Sequence, residues 1–256
     1  LELPLSWYRT FVMEEKFGFN RNTPALFMGD FAKQLLLMLV LGAPIAWVTL
    51  WLMNSTGDFW WLYLWAAWMV FAVGMMWAYP AFIAPLFNKF TPLDDANLNQ
   101  KVESLLQRCG FKSQGIYVMD GSRRSGHGNA YFTGLGNNKR IVFFDTLLNT
   151  LNEDQIEAVL AHELGHFRRK HVIKNMLMMA VMSLVGLALL GWASTQTWFY
   201  SGLGVETQNN AIALILFMLV IPVFSFFLHP LMTSMSRKYE FEADAYAASV
   251  SSADDL

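Results

Sequence analysis

Long uncharged apolar runs alternate along this chain with segments of mixed, charged character. The first run has its core at 35–53 and the second extends over about 59–87, interrupted by Pro80 and Pro85. The third is centred on 176–193 and the fourth on 211–228. Each approaches the ~20 residues that a membrane-crossing helix needs. Uncharged runs of that length are rare in water-soluble cores, so four transmembrane helices are expected. Trp60, Trp61, Trp65, Trp192 and Trp198 cluster as interfacial belts do. Residues 1–30 mix charges with Phe11, Phe17 and Phe19, the pattern of a segment at a membrane surface.

Between the second and third runs the periodicity changes. Residues 94–108 place Leu98, Val102, Leu105 and Leu106 on one side of an amphipathic helix. Residues 115–119 read as a strand, and 121–128 as a polar, glycine-rich loop. No G-K-[ST] follows it, so it is not a phosphate loop. Residues 129–134 and 140–145 read as two strands, with Gly136-Asn137-Asn138 supplying hairpin turn chemistry. A helix follows, with Ile156, Val159, Leu160, Leu164 and Phe167 as its apolar side. Thr150 and Asn152 are candidate N-caps, and Thr150 stands at capping-box spacing from Glu153. Glu153 and Asp154 open this helix, and Arg168, Arg169, Lys170 and His171 close it, as the helix dipole favours.

The expected fold is therefore mostly α: a multi-span α-helical membrane protein with a small α+β insert. The insert combines a short antiparallel sheet with one long helix. The expected organisation is a surface segment at 1–30, two spans within 31–87, the insert at 88–171, two spans within 172–233 and a final helix at 234–256.

Charge fixes the orientation. The loops at 54–58 and 194–210 contain no Lys or Arg, and all 18 basic residues fall in the other three regions. Alternating spans put those three regions on one side, which the positive-inside rule makes cytosolic. With 55% hydrophobic and 15% charged residues, the chain is too apolar for an ordinary soluble domain. A net charge of -2 gives no reason to expect a nucleic-acid partner. One cysteine, Cys109, excludes an internal disulfide and a Cys-based metal cluster, and reads as a small buried hydrophobe. The start at Leu1 without a signal-peptide pattern and the abrupt end at 251–256 read as a piece of a longer protein.

The candidate chemistry sits on the insert's long helix, at Ala161-His162-Glu163-Leu164-Gly165-His166-Phe167. This is H-E-x-x-H. Residues four apart share a helix face, so His162 and His166 can present two imidazoles to one ion. Glu163 stands about 100° round the helix, placed to act as general base on a metal-activated water. Zinc needs a third protein ligand. The candidates are His171, His229 and the carboxylates of 236–246. His171 and His229 read as helix-end or interfacial histidines, and His127 as a loop histidine near a substrate groove. Glu240 and Asp244 lie four apart and can face the same ion, whereas Glu242 points elsewhere.

Four strings carry a resemblance: A-H-E-L-G-H-F, S-R-K-Y-E-F-E-A-D-A-Y-A from Ser236, G-N-A-Y-F-T-G from Gly128, and K-R-I-V-F-F-D-T-L-L from Lys139. With Phe11-Val12-Met13-Glu14-Glu15-Lys16-Phe17-Gly18-Phe19-Asn20 and Thr23, they resemble the Ste24-type CAAX prenyl proteases. These are integral-membrane zinc metalloendopeptidases of the M48 class. The resemblance covers essentially the whole chain. It implies one Zn²⁺ per chain held by His162, His166 and Glu240, with Glu163 as catalytic base. Asp244 becomes an acid that supports a ligand or donates a proton. The family fold is a ring of helices around a large internal chamber, normally with seven spans. Four are found here, so further spans are expected outside this chain, together with a later His and Arg of the family's site.

The expected partners are the lipid bilayer and a peptide or protein substrate, for which the resemblance implies prenylation at a C-terminal CAAX motif. Asn129, Ala130, Tyr131 and Phe132 are the expected substrate edge, to which an extended peptide could add as a strand. The alternative is that they form the middle of a small sheet. An HtpX-like quality-control protease is the nearest rival function. A non-enzymatic zinc transporter or metal-binding membrane protein would need polar residues within the spans, and their cores are nearly free of them.

Overall fold

A computed structural model describes residues 2–111, 113, 115–133 and 140–251. The expected turn at Gly136-Asn137-Asn138 lies outside them. In chain order the elements are α1 (Glu2–Tyr8), α2 (Pro24–Ser55), α3 (Trp60–Ala78), α4 (Ala84–Phe87), β1 (Phe90–Pro92), α5 (Ala96–Arg108), β2 (Ile116–Met119), β3 (Ala130–Thr133), β4 (Arg140–Phe144), α6 (Asp145–Thr150), α7 (Glu153–Arg168), α8 (His171–Ala193), α9 (Thr197–Ser201) and α10 (Asn210–Val250). The chain forms two compact units.

One unit comprises Gln34–Met75 and Lys170–Tyr239. Among the described residues, four helices are long and apolar enough to cross a bilayer: Pro24–Ser55, Gly57–Phe87, His171–Ala193 and Asn210–Val250. Their outer faces stay apolar, with Leu36, Val70, Ile173, Leu219 and Phe226 each more than 60% exposed. Lipid satisfies such a surface and water does not. Inside, Leu52, Trp60, Leu64, Leu190, Phe199, Tyr200 and Leu216 form one packed cluster. The Trp65 indole N–H donates to the Ala180 carbonyl at 2.9 Å.

Two expectations about the helices are corrected. Pro80 does not break the second span, which passes through a π-helical turn at Tyr79–Ile83. A π turn re-routes the backbone bonds around the missing N–H. The fourth span and the final helix are not separate elements either. They are one helix, Asn210–Val250, running through Pro222 and Pro230.

The other unit comprises Leu1–Lys33, Met76–Arg169 and Glu240–Leu256. Its sheet has four strands in the order β1-β2-β4-β3. The expected all-antiparallel sheet is thus a mixed one, because β2 and β4 pair in parallel, Ile116 opposite Ile141. The chain leaves β2 through the loop 120–129, forms β3 at the far edge and returns antiparallel as β4 between them. Burial explains the central place of β4: Ile141, Val142 and Phe143 are at most 2% exposed. Strand β1, which the apolar pattern does not announce, adds at the other edge.

Helix α5 starts at its Asp95 N-cap, whose carboxylate accepts from the Asn97 and Leu98 N–H groups. Leu98, Val102 and Leu105 join Ile141, Phe143, Leu160 and Leu164 in the core. Cys109 is half-buried against this core rather than fully buried.

Candidate metal centre

Helix α7 begins with a capping box, but the residues are Asn152 and Gln155 rather than Thr150 and Glu153. Thr150 closes the short helix α6, and its hydroxyl donates back to the Thr146 carbonyl at 2.9 Å. From there Ile156, Leu160 and Leu164, spaced by four, are buried in the core. That stripe turns His162, Glu163 and His166 to the flank of the helix. Both imidazoles remain partly open, with side-chain exposures of 21% and 24%. Helix α7 lies against α5 and strand β3.

The last turns of α10 cross α7 at Gly165. A Cβ on that glycine would lie 2.9 Å from the Ala243 Cα and 2.9 Å from its carbonyl oxygen. The two backbones therefore touch, and Ala243 and Ala247 are fully buried. Glu240 and Asp244 flank the contact one helical turn apart.

Three ligand-type atoms converge at this crossing. His162 Nε2 and His166 Nε2 are 3.1 Å apart. The Glu240 Oε2 lies 3.3 Å from the first and 3.5 Å from the second. Zinc bonded tetrahedrally at about 2.0–2.1 Å separates its ligand atoms by about 3.3–3.4 Å. The triangle has the size of one face of that tetrahedron. The donor chemistry fits too. Asp244 Oδ1 lies 2.7 Å from His162 Nδ1. A carboxylate only accepts, so the proton sits on Nδ1 and the Nε2 lone pair faces the cluster. A divalent cation suits two imidazole nitrogens and a carboxylate oxygen gathered this closely.

Glu163 is half-buried beside these groups. Burial pushes its carboxyl above the ordinary range, His162 draws it down, and Glu240 raises it again.

The remaining candidates fall elsewhere. His171, expected at a helix end or interface, is 2% exposed and stacks on Tyr239 at 4.3 Å. His229 is exposed and contacts Thr233. His127 is an exposed loop residue, stacked on Phe19 at 4.2 Å. Glu242 is half-buried on α10.

The expected substrate edge has a definite geometry. Strand β3 is an outer strand, paired on one side to β4. The Phe144 N–H donates to the Asn129 carbonyl at 2.9 Å. Antiparallel alternation then turns the Tyr131 groups toward β4 and those of Ala130 and Phe132 outward. The Ala130 N–H is held by its neighbour's Asn129 Oδ1 at 2.8 Å. The Ala130 side chain itself is in the core.

Sequence reasoning missed Gly165. Its signal is a glycine inside an amphipathic helix, where it costs about 1 kcal/mol relative to Ala without a packing reason.

Two imidazoles from one helix and a carboxylate from a crossing helix, on a chain with four apolar spans, define a membrane-embedded scaffold of the H-E-x-x-H metallopeptidase class. The model of peptidase family M48 matches residues 92–256, and that of the CAAX prenyl protease N-terminal domain, five membrane helices, matches residues 1–89. The chain belongs to peptidase family M48 and is an integral membrane protein. It is 38% identical to the CAAX prenyl protease 1 homolog of Arabidopsis thaliana, covering 100% of this chain and 60% of that protein. Identity to CAAX prenyl protease 1 of Saccharomyces cerevisiae is 39%, over 96% of this chain and 58% of the relative. The crystal structure of S. mikatae Ste24p superposes with a TM-score of 0.89 at 38% identity, covering 97% of this chain and 61% of that one. The chain thus spans about three fifths of the length of these relatives.

Proposed function

We propose that this chain carries the catalytic centre of a zinc-dependent membrane endopeptidase that trims prenylated CAAX-type peptides on the cytosolic side. The observation that supports it most is the His162–His166–Glu240 triangle with Glu163 on the same helix as the two histidines, close enough to His162 and Glu240 to feel their charge. His162, His166 and Glu240 would hold the metal. Zinc there supplies Lewis-acid polarisation of the scissile carbonyl and of water. Glu163 takes the proton from the attacking water and hands it to the leaving nitrogen. Its half-buried setting raises the carboxyl's pKa, which makes it a stronger proton acceptor than an ordinary carboxylate. Asp244 holds the His162 ring in the tautomer and orientation that a ligand needs.

Substrate registration falls to β3. An extended peptide pairs with the outward Ala130 carbonyl and Phe132 main-chain groups, the Ala130 N–H being engaged by Asn129 Oδ1, which asks for main chain rather than a particular side-chain sequence. The unit of Gln34–Met75 and Lys170–Tyr239, taken by itself, holds an open cavity of ≈ 1830 Å³ lined by Leu41, Ile45, Phe71, Met182, Phe217 and Leu228 among others, apolar surface of the kind an isoprenoid prefers.

Relatives named CAAX prenyl protease at 33–39% identity, from plants, yeast and human, favour this substrate over the HtpX-like alternative. The test compares a peptide carrying a farnesylated cysteine three residues from its carboxyl end with its unprenylated form and with casein. Chelator-sensitive cleavage of the farnesylated peptide alone supports the proposal. Equal cleavage of casein assigns the quality-control role instead.

A further inference from the structure

The polar loop 120–129, glycine-rich with Gly121, Gly126 and Gly128, leads directly into the substrate edge. It is held from three sides. Asp145 accepts the Ser122 N–H at 2.7 Å and also its hydroxyl, while the Thr146 hydroxyl donates to the His127 carbonyl at 2.9 Å. The N-terminal segment grips the middle. The Gly126 N–H donates to the Phe19 carbonyl at 2.8 Å, Arg21 N–H to the Arg124 carbonyl at 3.2 Å, and Asn20 bridges Ser125. Phe19 stacks on His127.

The third hold is a single guanidinium. Arg124 Nε lies 2.8 Å from Asp30 Oδ2, Nη1 lies 3.0 Å from Asn88 Oδ1, and Nη2 lies 2.5 Å from the Phe87 carbonyl. Asp30 is 7% exposed, and Lys33 also approaches it at 3.4 Å. A planar fork that meets three partners in fixed directions sets both position and orientation, which a point charge cannot do.

We propose that Arg124 is a positioning residue for the substrate edge. Clamped by Asp30, Asn88 and the Phe87 carbonyl, it sets where Ala130 and Phe132 present their outward main-chain groups. It rests on the reading of β3 as the substrate strand. The first apolar helix and the N-terminal segment thereby act on substrate affinity, and the His162–His166–Glu240 cluster is left alone.

The test uses the purified protein and a farnesylated peptide, with a second version N-methylated at the amides that would pair with β3. Arg124→Met should raise KM about ten-fold or more while kcat changes less than about three-fold and zinc content stays at wild-type level. The penalty for N-methylation, large in the wild type, should shrink in Arg124→Met, because a misplaced edge has less pairing to lose. Arg124→Lys keeps the charge beside Asp30 but not the fork, and should give an intermediate KM. Should the Met variant fail to fold, the Lys variant and Phe19→Leu carry the same KM measurement. A wild-type KM in the Arg124 variants, alongside a wild type that rejects the methylated peptide, overturns the positioning role. A wild type that cleaves both peptides equally overturns the edge reading itself.

Discussion

Asp244 Oδ1 stands 2.7 Å from His162 Nδ1, so one turn of α10 supplies both a carboxylate for the ligand triangle and the acceptor that orients one of its imidazoles. Cutting the second of these contacts leaves the first in place. Asp244→Ala should therefore weaken zinc binding by about 10–100-fold without abolishing it, the range found for such supporting carboxylates. Asp244→Asn retains a neutral acceptor and should fall between. Competition against a chelator of known affinity reads both. Unchanged zinc affinity in the Ala variant would show that the contact is idle.

Glu163 shares α7 with both histidines and is not part of the triangle. Its replacement by Gln keeps the volume and removes the basic carboxylate. Zinc stoichiometry should stay at wild type, while kcat falls by about 10²–10⁴-fold, the usual contribution of a positioned base. His162→Ala should behave in the opposite way and lose the metal. Single-turnover cleavage with metal analysis on the same samples separates the two. A Gln variant that turns over at the native rate places the base elsewhere.

Much of this centre is legible in the local sequence because its parts repeat with the helix period. His162 and His166, and then Glu240 and Asp244, are each four apart, so each pair shares a face before any fold is known. The four spans are legible for a similar reason, since length and the absence of charge suffice. What escapes is non-local. Nothing in the strand periods says that β4 inserts beside β2 in parallel. Thr150 has better capping-box spacing than its role deserves, because 145–150 forms a short helix of its own. Arg124 and Asp30 are 94 positions apart, and neither belongs to a periodic pattern that would announce the other. Gly165 is visible, but its reason lies on another helix.

The raised carboxyl of Glu163 has a consequence for the metal-free protein. Burial is the main cause, with His162 opposing and Glu240 reinforcing it. A group whose folded pKa exceeds its unfolded value contributes fully below the unfolded pKa and loses that contribution as pH rises through the folded one. The metal-free wild type should thus lose stability relative to Glu163→Gln across the window above the ordinary carboxylate range. Below that range the two should converge. Thermal melts in excess chelator, taken from acid to neutral pH, measure the difference. A gap that is constant with pH would mean that Glu163 ionises as readily in the fold as outside it.

Gly165 joins packing to chemistry. An added methyl would sit 2.9 Å from the Cα and carbonyl oxygen of Ala243, backbone atoms with no flexible end to swing aside. Helix propensity alone predicts that Gly165→Ala stabilises α7 by up to about 1 kcal/mol. Overpacking a helix crossing costs about 1–3 kcal/mol and acts against it. The second effect should win, because Ala243 and Ala247 are fully buried and α10 can yield only by moving away. That movement carries Glu240 off the two imidazoles. Gly165→Ala should therefore lower the melting temperature and bind zinc more weakly, although it alters no ligand. Gly186→Ala is the matched control, since a methyl there meets nothing within 4 Å. If Gly165→Ala kept native zinc affinity and stability, the close approach of α10 would not be what sets the third ligand in place.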